Sequence, residues 1–133
     1  MKKKEIIALL NQDLSGEIEA IMTYMRNSFI TGECKPSRTM EEIARDEMRH
    51  ADKLAEMIVD LGGIPAMVYR ELDFGRKGVK GSLSRIAALE KEAIATYKEH
   101  IKAIPDEEIK KTLTHILHEE QVHLEDANKL LKG

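Results

Sequence analysis

Two short stretches of the chain carry residues suited to chemistry. One is Asp46-Glu47-Met48-Arg49-His50, the other Glu119-Glu120-Gln121-Val122-His123, and each holds a Glu-x-x-His pair. Residues three apart share one face of an α-helix, so each pair can present a carboxylate and an imidazole to one metal ion. Each pair has a lone glutamate upstream at a matched distance: Glu17 stands 30 positions before Glu47, and Glu90 stands 30 before Glu120. An offset of 73 residues maps Glu17, Glu47 and His50 onto Glu90, Glu120 and His123, and Tyr24 onto Tyr97. Four carboxylates and two imidazoles suit borderline first-row metals such as iron, manganese or zinc, and argue against calcium or magnesium. Two divalent cations would balance the four carboxylates. One Glu from each of two helices, with Glu-x-x-His from each of two others, is the ligand set of a di-iron carboxylate bundle.

That chemistry needs four helices, and apolar periodicity supplies them. The first runs from about Lys3 to Thr31, with Leu10, Leu14, Glu17, Ile21, Tyr24 and Ser28 on one face. Gly32 and Pro36 break it, and Ser37 is the expected cap of a second helix with the stripe Met40, Ile43, Glu47, His50, Leu54, Met57 and Leu61. A third starts near Ser82 and carries Ile86, Glu90, Ala93, Tyr97 and Ile101. Pro105-Asp106 opens the fourth, with Ile109, Leu113, Ile116, Glu120, His123, Ala127 and Leu130. A solvated Glu-x-x-His pair would lie on a polar face, whereas each of these lies on an apolar stripe. Glu17 and Glu47 are equidistant from Gly32, and Glu90 and Glu120 from Pro105. If the chain turns at those residues, all the ligands sit ~22 Å from a turn and meet mid-bundle.

The expected architecture is all-α, a single domain over residues 1–133. It consists of two antiparallel helical hairpins joined by a long crossover at about 62–81. A structureless segment that long is uncommon unless it carries the chain from one end of a bundle to the other. Ile64, Val68, Tyr69, Leu72 and Phe74 are the expected pins. The composition agrees: 34% of residues are charged, Trp is absent and only 3 are Pro. A net charge of −3 gives no reason to expect a nucleic-acid partner. No apolar run is long enough to span a membrane. Cys34 is the lone cysteine, which excludes an intrachain disulfide and a Cys-x-x-Cys knuckle and fits a reducing cytoplasm.

Other residues are less determined by pattern. Tyr24 and Tyr97 are either core tyrosines or hydrogen-bond partners of the site. His100, His115 and His118 lie off the stripes and are expected in solvent. A second apolar stripe runs along Ile18, Met22, Met25 and Phe29 on the first helix, and Ala44, Met48, Ala51, Ala55 and Ile58 on the second. It must be covered by something. A second copy would give an isologous homodimer, and the crossover within the same chain is the other candidate.

Gly16-Glu17-Ile18 with Tyr24, Asp46-Glu47-Met48-Arg49-His50-Ala51-Asp52, Ala88-Leu89-Glu90, and Glu119-Glu120 with His123 resemble the motifs of bacterioferritins and close ferritin-like relatives, in order and spacing. The resemblance covers all four helices and implies a ferritin-like bundle with a ferroxidase centre. It implies Glu17 and His50 on one iron, Glu90 and His123 on the other, and Glu47 and Glu120 bridging. It also implies that Asp46 orients His123 and that Glu119 orients His50. Met48 matches the methionine that ligates a haem shared between bacterioferritin subunits, a residue that haem-free relatives also carry. Three departures limit the carry-over. The short fifth helix of bacterioferritins is missing, which puts their 24-subunit cage in doubt. The further third-helix glutamate of rubrerythrins is Ala93 here, and their Cys-rich iron domain is absent.

Three functions are compatible with these residues. The first is an enzyme that oxidises Fe(II) with dioxygen or peroxide, in iron storage or detoxification, or a rubrerythrin-like peroxide reductase. The second is an iron carrier without turnover. The third is a structural bundle in which zinc or manganese neutralises the core.

Overall fold

The computed structural model describes all 133 residues. It is all-α, with α1 at Lys3–Ile30, α2 at Cys34–Asp60, α3 at Val79–Ala103 and α4 at Glu107–Lys132. α1 and α2 form one hairpin, and α3 and α4 the other. Across the hairpins, Asp13, Glu17 and Tyr24 of α1 meet His100, Tyr97 and Glu90 of α3, in reverse order. Asp46 and His50 of α2 likewise meet His123 and Glu119 of α4. Every neighbouring pair is therefore antiparallel. That arrangement requires α3 to begin at the end of the bundle where α2 began, and residues 61–78 carry the chain there.

The turns fall where the ligand spacing requires them. Gly32, at φ 78°, makes the first turn, a conformation that costs glycine little. The second turn is Ile104-Pro105-Asp106, and the Asp106 carboxylate caps α4 by accepting from Ile109 N at 3.0 Å. Two boundaries differ from expectation. α2 begins at Cys34 rather than just after Ser37. Pro36 is tolerated because it falls in the first turn, where its missing N–H has no helical acceptor to satisfy. Ser37 instead reaches across the turn to donate to the Ser28 carbonyl at 2.6 Å. α3 begins at Val79, three residues before Ser82.

The crossover is held mainly by polar contacts, and of the five apolar pins expected only Leu72 and Phe74 are half-buried. Ile64, Val68 and Tyr69 are exposed. Asn11 donates to the Ile64 carbonyl and accepts from Ala66 N, Arg70 pairs with Glu19 and Glu92, and Asn27 donates to the Phe74 carbonyl. These anchors lay the strap along α1 and α3. They leave Met25, Phe29 and Met48 exposed, so the crossover does not cover that stripe. Ala44 and Ile58 leave the stripe as well, because both are buried in the core.

The core is divided in two. Leu10, Leu14, Leu54, Ile58, Leu113 and Ile116 fill one half. Ala20, Met40, Ile43, Leu83, Ile86 and Ala127 fill the other. A layer of charged and imidazole side chains separates them.

Candidate metal centre

That layer consists of Glu17, Glu47, His50, Glu90, Glu120 and His123, none more than 3% exposed. Potential ligand atoms of Glu17, Glu47, His50 and Glu120 lie within 4.8 Å of one another, and so do those of Glu47, Glu90, Glu120 and His123. The two groups share Glu47 and Glu120. His50 Nδ1 is 3.2 Å from Glu47 Oε1 and from Glu120 Oε1, and 3.5 Å from Glu17 Oε1. His123 Nδ1 is 3.4 Å from Glu47 Oε1, 3.3 Å from Glu120 Oε1 and 3.6 Å from Glu90 Oε1.

Whether these residues suit a metal pair is tested by what they leave unpaired. Each of the six has one buried atom without a hydrogen-bond partner: Glu17 Oε2, Glu47 Oε1, His50 Nδ1, Glu90 Oε2, Glu120 Oε1 and His123 Nδ1. Buried polar atoms are nearly always satisfied, and each one left alone costs about 1–3 kcal/mol. Of the seven such atoms in the chain, six lie in this layer, the other being Asp13 Oδ1 beside His100, and the six fit two cations as their common partner.

Protons alone serve the cluster poorly. Burial first, and then the Glu120 charge, would push the Glu17 carboxyl up to about 7. Burial, opposed by the His123 imidazole nearby, would push Glu90 up to about 8. Burial and its carboxylate neighbours hold Glu47 well above the usual range. Glu120 is held below it despite burial, by the His123 and His50 imidazoles and the Glu47 carboxyl beside it. Burial opposes charge on His50 and His123, but their carboxylate partners, Glu120 foremost, push both up to about 10.

A shell of partners fixes the ligands. His50 Nε2 lies 2.6 Å from Glu119 Oε1, and His123 Nε2 lies 2.8 Å from Asp46 Oδ2. With Nε2–H donating outward, each Nδ1 lone pair faces the cluster. Each acid thus serves the histidine of the opposite hairpin, and Arg49 in turn pairs with Asp46. The tyrosines also cross: Tyr24 donates to Glu90 Oε1 at 2.9 Å, and Tyr97 to Glu17 Oε1 at 2.6 Å.

One histidine is not where periodicity placed it. His100 is 3% exposed and its Nδ1 is 2.9 Å from Asp13 Oδ2, itself buried. Neither residue has an echo at the 73-residue offset, which maps them to Asn27 and Ile86. Antiparallel pairing of α1 with α3 was the available signal: one turn before Glu17 faces one turn after Tyr97. His115 and His118 are exposed as expected, as is Cys34. Met48 is 50% exposed and contributes nothing to the cluster.

The histidines sit on α2 and α4, and the opposite side of the cluster faces the space between α1 and α3. A cavity of about 450 Å³ lies there under the crossover and is lined by Glu17, Glu47, Glu120, Tyr24 and Tyr97. The small residues Gly16, Ala20 and Ala93 make room for it. At the rim, Arg70 joins Glu19 of α1 at 2.6 Å to Glu92 of α3 at 3.0 Å.

The family model described as "Ferritin-like domain" matches residues 7–133. A bacterioferritin of Desulfovibrio desulfuricans (strain ATCC 27774 / DSM 6949 / MB) is 29% identical over 129 residues, which cover 92% of this chain and 72% of that protein. An X-ray structure of the Desulfovibrio desulfuricans bacterioferritin, described as showing its diiron site in different catalytic states, matches with a TM-score of 0.91 and 28% identity. The match covers 98% of this chain and 80% of that one.

Proposed function

The chain belongs to the ferritin-like domain family, and from that premise we propose that it is a di-iron oxidoreductase that oxidises Fe(II) with dioxygen or peroxide, in iron storage or detoxification. The observation that carries this reading is the pair of overlapping four-residue groups sharing Glu47 and Glu120. Glu17 and His50 would hold one iron and Glu90 and His123 the other, with Glu47 and Glu120 shared between them. When bound, an Fe(II) pair would supply the two electrons that, with two protons, take dioxygen to hydrogen peroxide or hydrogen peroxide to two waters. The protein's own part is positional. Glu119 and Asp46 keep each imidazole's Nδ1 turned inward, Tyr24 and Tyr97 hold Glu90 and Glu17 in place, and the α1–α3 cavity admits a small oxidant. Stopped-flow absorbance after mixing Fe(II)-loaded protein with dioxygen tests the reading. Rapid oxidation with repeated turnover supports it. Stable binding without oxidation would leave a carrier or a zinc or manganese structural bundle instead.

The crossed shell makes its own prediction. Asp46→Ala removes the acceptor of His123 on the other hairpin, and metal affinity is expected to fall ~10–100-fold. The weakened position is the one built from Glu90 and His123. If competition with a chelator shows unchanged affinity, Asp46 has no such role.

The family reading extends to assembly in a cytoplasmic protein. Met25, Phe29 and Met48 are exposed large apolar residues on α1 and α2, an isologous homodimer through these helices covers them, and the dimer can enter a higher oligomer. Met48 is then the residue on which a haem would be held, and a second copy must enclose it. Met25→Asp is expected to convert dimer to monomer in light scattering at micromolar concentration. A wild-type chain that is already monomeric would defeat the dimer, and haem requires a Soret band in the purified protein.

A further inference from the structure

The end of the crossover and the start of α3 read Gly75-Arg76-Lys77-Gly78-Val79-Lys80-Gly81-Ser82, and no acidic residue occurs between Gly75 and Arg85. It folds against the C-terminal end of α1 around a cleft of about 310 Å³ lined by Arg26, Thr31, Arg76, Lys77, Gly78 and Ser82. No carboxylate lines this cleft. Arg70 and Arg85, on either side of the loop, each have a carboxylate within 4.0 Å, while Arg76, Lys77 and Lys80 between them have none. Arg26 is held in place, with its guanidinium carbon 4.5 Å from the Phe74 ring centroid and Nη1 donating to Asn27 Oδ1 at 3.0 Å.

The cleft opens on the start of α3. That helix has Gly78 as its N-cap, no side-chain cap and no acidic residue in its first turn. Ser82 N is the first to find a helical acceptor, the Gly78 carbonyl at 3.0 Å, so the N–H groups before it lack one. Ser82 itself is 3% exposed, yet its side chain borders the cleft and hydrogen-bonds to no protein group. The loop is seated closely: a Cβ at Gly81 would collide with the Arg76 carbonyl.

We propose that this cleft binds a phosphate group, carried by inorganic phosphate or by the phosphoryl end of a nucleotide. A tetrahedral dianion takes up what the cleft offers: the unpaired Arg76 and Lys77 cations, a place beside the positive end of a helix, and a hydroxyl donor. The site is separate from the metal centre, since Glu90 lies 11 residues beyond Val79 on α3, or ~16 Å along the helix.

Calorimetric titration of the metal-loaded full chain with inorganic phosphate tests this. One saturable site per chain is expected. Losing a hydrogen bond to a charged group costs about tenfold or more, so Ser82→Ala is expected to weaken binding by that factor without changing charge. The double change Arg76→Ala with Lys77→Ala is expected to weaken it further. Lys110→Ala with Lys111→Ala, a basic pair elsewhere, and Glu47→Ala, at the metal centre, are expected to leave it intact. ATP binding more tightly than phosphate identifies a nucleotide as the source of the group, and equal affinity identifies phosphate alone. Absence of saturable heat overturns the proposal. So does insensitivity to Ser82→Ala, which would mean a diffuse basic surface, or loss in Glu47→Ala alone, which would place the anion on the metals.

Discussion

Glu47→Ala, and separately Glu120→Ala, is expected to abolish rapid Fe(II) oxidation while leaving the helical circular dichroism unchanged. Both carboxylates belong to both four-residue groups, so removing either strips a ligand from each metal at once. Loss of a residue that merely orients a ligand costs ~10–100-fold in affinity or activity, and loss of a shared ligand is expected to exceed ~100-fold. The helices survive because the two apolar halves of the core lie on either side of the layer and are untouched. The measurement is the rate of oxidation at fixed Fe(II) and dioxygen, beside a far-UV spectrum. Glu107→Ala, at an exposed position, is the control expected to behave as wild type. Unchanged oxidation in both variants would remove Glu47 and Glu120 from the bridging positions.

Stripping the metal is expected to lower the melting temperature by roughly 10 °C or more at neutral pH. A ligand at 100 times its dissociation constant adds about 2.7 kcal/mol, and a domain of this size gains ~4 °C per kcal/mol. The deficit should grow with pH. Glu17 and Glu90 would be pushed up from 4.5 to about 7 and about 8 in the folded state. Such groups contribute stability that is present below 4.5 and lost as pH rises through their folded values. His50 and His123, pushed up from 6.5 to about 10, contribute below 6.5 and lose it through 10. Glu120, held low, contributes at neutral pH and loses its contribution only in acid. The chelated protein should therefore melt progressively lower from about pH 5 toward pH 10, while the loaded protein, with cations in place of protons, does not follow it. Parallel melting curves across pH 6–9 would contradict this.

The positions of the cluster were legible in the sequence because three periodicities agree there. Helical spacing puts Glu47 with His50 and Glu120 with His123, the 73-residue echo pairs the halves, and the centring on Gly32 and Pro105 brings them level. The four helices and the long crossover followed from the same apolar stripes, with the start of α2 four residues and that of α3 three residues earlier than expected. Pro36 looks like a stop but is harmless in a first turn. The crossover departs from expectation for a physical reason: it has no period, and Ile64, Val68 and Tyr69 stay exposed while Asn11, Arg70 and Asn27 hold it, leaving only Leu72 and Phe74 of the expected pins half-buried. His100 was missed because its partner Asp13 sits 87 positions away on another helix, a separation at which no local pattern operates. The tyrosine hydroxyls were undecided for the same reason, since their acceptors lie across the hairpins.

The central claim is two metal ions sharing Glu47 and Glu120. Anomalous diffraction at the iron edge, from crystals of the Fe(II)-loaded protein, tests it most directly. Two peaks are expected about 3.5–4 Å apart, lying between Glu47 and Glu120. One should be bounded by Glu17 and His50 Nδ1, the other by Glu90 and His123 Nδ1. A single peak, peaks bound through Nε2, or iron held only at the exposed His115 and His118 would contradict it.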